Sequence, residues 1–127
     1  MKINEIKRAR EVLDMEARAV LALKSRVGKE FKTALDLILK SKGRVVVSGM
    51  GKTGIIAQKF SATLASTGTP SLFLHLAEAS HGDLGKVTPD DVVIILSNSG
   101  STAEVKQLLP FLKKLGVKII AFTGSIN

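Results

Sequence analysis

The sequence predicts an α/β domain built as a doubly wound parallel sheet. Three observations lead there. Short apolar runs rich in β-branched residues recur at 44–48, 71–75, 91–97 and 117–122 and read as strands. Segments with helical spacing of apolar residues alternate with them. The runs are apolar on both faces, as a sheet covered on both sides requires. Alternating strands and helices pair in parallel through right-handed crossovers.

The elements follow in order. From about Asn4 to Ser41 the chain reads as helix, with apolar residues at Ile6, Ala9, Leu13, Ala17, Val20 and Leu21. Gly28 divides this stretch, and the second helix uses Phe31, Leu35, Ile38 and Leu39. An amphipathic leading helix of this kind suits packing on the sheet or on a second subunit. The sheet portion spans about 43–127. Arg44 to Ser48, flanked by Gly43 and Gly49, is a buried strand. Ile55 to Ser66 is a helix ended by Thr67-Gly68-Thr69-Pro70. Ser71 to His75 and Asp91 to Ser97 are the next strands. Thr102 to Leu115 is a helix with Gly116 as its stop, and Val117 to Phe122 is the last strand. The expected strand order is 2-1-3-4, the flavodoxin-like arrangement. The sequence ends at Thr123-Gly124-Ser125-Ile126-Asn127, which leaves a sheet edge bare. A following helix is expected, so residues 1–127 read as a piece of a longer domain.

Bulk properties narrow the function classes. The 127 residues fit one domain, and 45% hydrophobic content can fill its core. No apolar run approaches the roughly 18–20 residues of a membrane span. The N-terminus is charged and lacks the apolar stretch of a signal peptide, so a cytoplasmic location is the default expectation. With no cysteine, disulfides, thiolate metal sites and a cysteine nucleophile are excluded. With no Trp or Tyr and five Phe, stacking platforms for single-stranded nucleic acid are lacking. The formal charge of +8 is scattered along the chain and suits solvated helix faces, or a field that favours a phosphate-bearing substrate.

Ligands of open parallel sheets bind outside the carboxyl ends of the strands, and three segments lie there. Ser48-Gly49-Met50-Gly51-Lys52-Thr53-Gly54 joins a strand to a helix, where glycines admit a close ligand and free N–H groups attract anions. A P-loop needs glycine where Val46 stands. The dinucleotide fingerprint fits Gly49, Gly51 and Gly54, but its acidic partner at the next strand end is missing, Glu78 lying already in the loop. A tight turn without a ligand is the remaining alternative. Ser97-Asn98-Ser99-Gly100-Ser101-Thr102 carries four hydroxyls, an amide and a glycine. An ordinary N-cap needs one hydroxyl, and the excess favours a phosphate cradle. Glu78-Ala79-Ser80-His81-Gly82-Asp83-Leu84-Gly85 offers His81 as a general acid or base or as a structural hydrogen-bonder. A metal site is not expected, because His75 is the only other histidine and the nearby acids lack ligand spacing.

These segments, with Ala65-Ser66-Thr67-Gly68-Thr69-Pro70, resemble the sugar isomerase (SIS) domain, and within it the D-arabinose 5-phosphate isomerase branch. The likeness covers nearly the whole chain. It implies interconversion of D-ribulose 5-phosphate and D-arabinose 5-phosphate, whose product feeds synthesis of Kdo, the eight-carbon acid sugar of lipopolysaccharide. It implies phosphate binding by Ser48, Thr53, Ser97, Ser99 and Thr102, with backbone groups around Gly49, Gly51 and Asn98. It places Lys52, His81 and Glu104 at active-site positions. Glu104 would be the base, His81 would move protons between oxygens, and Lys52 would stabilise enediolate charge. No metal or organic cofactor is implied, and the partners implied are a phosphosugar and further copies of the chain in a dimer or tetramer. The chain differs from the family pattern at Ser101, Leu76 and Ile55, where Glu, Pro and His are common. Family members also continue past Asn127, with a further active-site Glu and His and often paired CBS domains. A sugar-phosphate sensor, or an isomerase of another phosphosugar, is the alternative.

Overall fold

The computed structural model describes residues 4–125. They fall into two compact units that divide at Leu35 and Asp36. The first unit holds helix α1 (Glu5–Ala22), a 3₁₀ turn (Leu23–Arg26) and the start of α2 (Lys29–Lys40). Asn4 caps α1 by accepting from the Lys7 N–H at 3.0 Å. The expected break at Gly28 is present, between the 3₁₀ turn and α2. No residue of α1 is buried, and Ile6, Leu13 and Val20 stay exposed at its surface.

The second unit is the sheet. Its strands are β1 (Val45–Gly49), β2 (Ser71–His75), β3 (Val92–Leu96) and β4 (Lys118–Phe122), in the order β2-β1-β3-β4 and all parallel. The central strands β1 and β3 are buried at every position, which is why they read as unbroken apolar runs. Side chains alternate between the two faces. Val46, Leu74, Val93 and Ile95 form one core with α4 (Leu76–Ala79) and α5 (Ala103–Leu115), through Leu76, Ala79, Val105, Leu108 and Leu112. Gly116 ends α5 at φ +81, with its N–H donating to the Leu112 and Lys113 carbonyls.

The helix α3 (Gly51–Ser66) approaches the sheet through small residues, Gly54, Ala57 and Ser61. Ser61 and Ser71 share a hydrogen bond of 2.8 Å, and Ser71 donates onward to the Val45 carbonyl. This helix begins four residues before the expected start at Ile55. The reason is local. Gly51 adopts φ +57, and the Thr53 hydroxyl accepts from the Met50 N–H at 3.2 Å, so the glycine-rich turn is itself the first turn of helix. The stretch expected to be a loop between β2 and β3 also contains two short helical pieces, α4 and a 3₁₀ turn at Asp83–Lys86.

The amino ends of the strands are tied by Asp91. Its carboxylate is 2% exposed and accepts from the Arg44 N–H at 2.6 Å and the Thr88 N–H at 2.8 Å. Arg44 Nη2 lies farther off at 3.5 Å and also donates to the Lys86 carbonyl at 2.6 Å. The turns before β1 and β3 are thereby held together, with Gly43 N–H donating to the Asp90 carbonyl.

Candidate functional site

The register aligns the carboxyl ends of the strands. Gly49 pairs with His75 and with Leu96, and Leu96 pairs with Phe122. The four connections that follow therefore emerge along one edge of the sheet, where parallel sheets collect ligands.

At the first, β1 runs straight into α3. A Cβ on Gly49 would lie 2.8 Å from the Thr53 backbone, so strand end and helix start pack backbone against backbone. The N–H groups of the first turn of α3 have no partner within the helix, and no acidic residue lies in that turn to compensate its positive end. Lys52 stands in this turn and is exposed. Two hydroxyls expected at the ligand are engaged by the protein here. Ser48 is fully buried and donates to the Leu74 carbonyl at 2.6 Å, and Thr53 donates to the Met50 carbonyl at 2.7 Å while capping the helix. Gly49→Ala is expected to push the first turn of α3 off β1. The cost is about 1–3 kcal/mol of stability, seen as a lower thermal midpoint together with weaker phosphate binding.

The second turn leads from β3 into α5. Ser97 is buried, and its Oγ accepts from the Gly100 N–H at 3.1 Å. Ser99 Oγ accepts from the Ser101 N–H at 3.3 Å. Gly100 takes φ +69, a left-handed turn that only glycine enters without strain. Asn98, Ser99 and Ser101 are exposed. Thr102 is the N-cap of α5, yet its side chain makes no capping bond. Its Oγ1 is buried and has no hydrogen-bond partner among the described residues. A buried unpaired hydroxyl costs about 1–3 kcal/mol, so the position suits a bound water or a ligand oxygen.

The third segment follows β2. His75 Nδ1 accepts from the Ala77 N–H at 3.2 Å and starts α4. Ser80 donates to the Ala77 carbonyl, and Lys86 pairs with Asp83 at 2.7 Å. His81 is exposed, and its backbone N–H donates to the Glu78 carbonyl. A cavity of about 820 Å³ opens between this segment and α5. Ser80, Gly82 and Glu104 line it with the apolar Leu76, Leu108 and Phe111. Glu104 and the residues on either side of His81 thus share one wall, whereas Lys52 lies on the first turn and is not part of that lining.

Sequence reasoning missed the turn after β4. Thr123 and Gly124 both bond the Asn98 carbonyl. The available signal was a hydroxyl and a glycine directly after a strand, the same punctuation as in the other two turns. Among the described residues, no group of three or more His, Cys, Asp or Glu is placed to hold a metal ion. No helix among them is long and apolar enough to cross a membrane.

Comparison with known proteins agrees with the fold. The family model described as the SIS domain matches residues 37–127. The arabinose 5-phosphate isomerase KdsD of Pseudomonas aeruginosa is 56% identical over 117 residues, covering 92% of this chain and 36% of that protein. KdsD of Escherichia coli K12 is 50% identical over 115 residues, covering 91% of this chain and 35% of that protein. The chain therefore spans about a third of the length of these curated relatives. Among solved structures, an Escherichia coli CFT073 protein in complex with arabinose 5-phosphate superposes with a TM-score of 0.82 at 44% identity, covering 97% of this chain and 67% of that one.

Proposed function

Because the chain belongs to the SIS domain family, we propose that it is the phosphate-gripping part of an aldose–ketose isomerase that interconverts D-ribulose 5-phosphate and D-arabinose 5-phosphate. The observation that carries this reading is the buried, unpartnered Thr102 hydroxyl at the start of α5. It sits at the end of a turn of hydroxyls and at the N-terminus of α5, where a phosphate oxygen satisfies it and the helix dipole favours the negative charge.

With the phosphate held at Ser97, Asn98, Ser99 and Thr102, the open-chain sugar reaches along the strand ends toward Glu104 and the His81 segment. Isomerisation of the aldose removes a proton from C2, forms an enediol and returns a proton to C1. A second proton moves between the oxygens on C2 and C1. The carboxylate of Glu104 takes and returns the carbon-bound proton. The imidazole of His81 carries the proton between oxygens, and the Lys52 ammonium stabilises negative charge on the enediolate. The reading is supported by the 56% and 50% identity with KdsD proteins over most of this chain. It brings with it a cytoplasmic location, a homo-oligomer and a product that serves lipopolysaccharide synthesis. The test is turnover of D-ribulose 5-phosphate by the purified chain, followed by formation of the aldose. Turnover would establish the isomerase reading and show that these residues suffice for it. Binding of D-arabinose 5-phosphate without turnover would instead favour a sensor, or a site whose remaining groups lie outside these residues.

A further inference from the structure

The turn after β4 is built against the Asn98 carbonyl. The Gly124 N–H donates to that oxygen at 3.0 Å, and Thr123 Oγ1 donates to it at 3.3 Å. The single Thr123 hydroxyl proton is shared between that oxygen and the Ser125 carbonyl at 3.0 Å, and Oγ1 accepts from the Ser125 N–H at 3.2 Å. The fit is close on both sides. A Cβ on Gly124 would come within 2.8 Å of Asn98 Oδ1, and a Cβ on Gly100 would come within 3.0 Å of Thr123 Oγ1. One residue earlier, the Ser97 N–H donates to the Phe122 carbonyl, so the strand ladder runs directly into this contact.

The consequence follows from peptide geometry. There are no cis peptide bonds among the described residues, and in a planar trans peptide the carbonyl and the following N–H point in opposite directions. Gripping the Asn98 carbonyl from the β4 side therefore turns the Ser99 N–H away from β4, toward the open side of the cradle. We propose that Thr123 and Gly124 are positioning residues for the cradle, fixing the Asn98–Ser99 peptide so that its N–H is aimed at the anion before the anion arrives. This inference rests on the phosphate reading of the Ser97–Thr102 turn. Pre-aimed donors bind without first reorganising, so the brace acts on affinity and touches no reacting atom.

The experiment compares the wild-type chain with Thr123→Val and Thr123→Ser, by amide NMR without ligand and by titration with D-arabinose 5-phosphate. In Thr123→Val the Ser99 and Gly100 amide signals are expected to shift while those of β1 and α3 stay in place. Phosphosugar affinity is expected to fall by about 5–10-fold, the weight of one hydrogen bond. Thr123→Ser keeps the hydroxyl and is expected to restore both. Unmoved Ser99 and Gly100 signals, or wild-type affinity in Thr123→Val, would overturn the inference. A wild-type chain that takes up no D-arabinose 5-phosphate would sink the phosphate reading instead, and the Ser99 signal would still decide whether Thr123 orients the peptide.

Discussion

Glu104→Gln is expected to lower isomerisation of D-ribulose 5-phosphate by about 10²–10⁴-fold, the usual contribution of a general base. The substitution keeps shape and removes only the carboxylate. Glu104 is half-buried in the first turn of α5 and lines the cavity beside the His81 segment. Its charge also interacts favourably with the helix N-terminus, so the variant is expected to lose about 0.3–1 kcal/mol of stability, far too little to explain the rate. Affinity for D-arabinose 5-phosphate is expected to hold or improve slightly, because a negative charge near the phosphate has been removed. Initial-rate kinetics alongside a binding titration separates the two effects. If affinity and rate fall together, Glu104 is a binding group and the proton-transfer role belongs elsewhere.

Asp91→Ala is expected to be the most damaging change to stability, about 2–4 kcal/mol, the cost of taking a shared acceptor from two backbone donors. The weight lies with the backbone. The Arg44 and Thr88 N–H groups bond the carboxylate at 2.6 and 2.8 Å, at part-buried positions, and would both lose their acceptor. The Arg44 guanidinium is about 41% exposed and sits 3.5 Å away, so solvent screens its share. Asp91→Asn keeps one acceptor but turns an NH₂ toward a donor, and is expected to recover only part of the loss. Chemical denaturation measures both.

The same carboxylate predicts an acid-side decline. Burial alone pushes its pKa up, but the Arg44 and Thr88 N–H groups, with the Thr88 side chain and the Arg44 charge, hold it below the ordinary value. As pH falls, the unfolded chain takes the proton first, so stability rises with pH in that window. The Asp91 contribution is complete above about pH 4 and fades as pH drops through the lowered folded value. A flatter acid limb in Asp91→Asn than in wild type checks this. Equal slopes would mean that other carboxylates set the decline.

The strands and their order were legible because β1 and β3 are covered on both faces, which leaves a continuous apolar run in the sequence. Glycine marked the end of α5 correctly at Gly116 because the left-handed cap has a local cause. The start of α3 was not legible. Gly51 and Thr53 look like a ligand loop, and only the hydrogen bond from Met50 reveals that they open the helix. The four-residue α4 is too short to show a period. Ser48 reads as a ligand hydroxyl by motif, yet it shares a strand face with Val46, and that alternation already points it into the sheet. Asp91 and the Thr123 contact depend on partners 47 and 25 residues away, a kind of information that no local pattern holds.

The Asp91 clamp lies at the amino ends of five-residue strands and the cradle at their carboxyl ends. At about 3.3 Å per residue the two are roughly 16 Å apart. Changes separated by more than about 7–10 Å without shared partners act additively. Loops at one end of this sheet can therefore drift in sequence, and with it in the ligand they suit, while the clamp at the other end goes on holding the strands together. The architecture divides evolvability from foldedness along the length of a single strand.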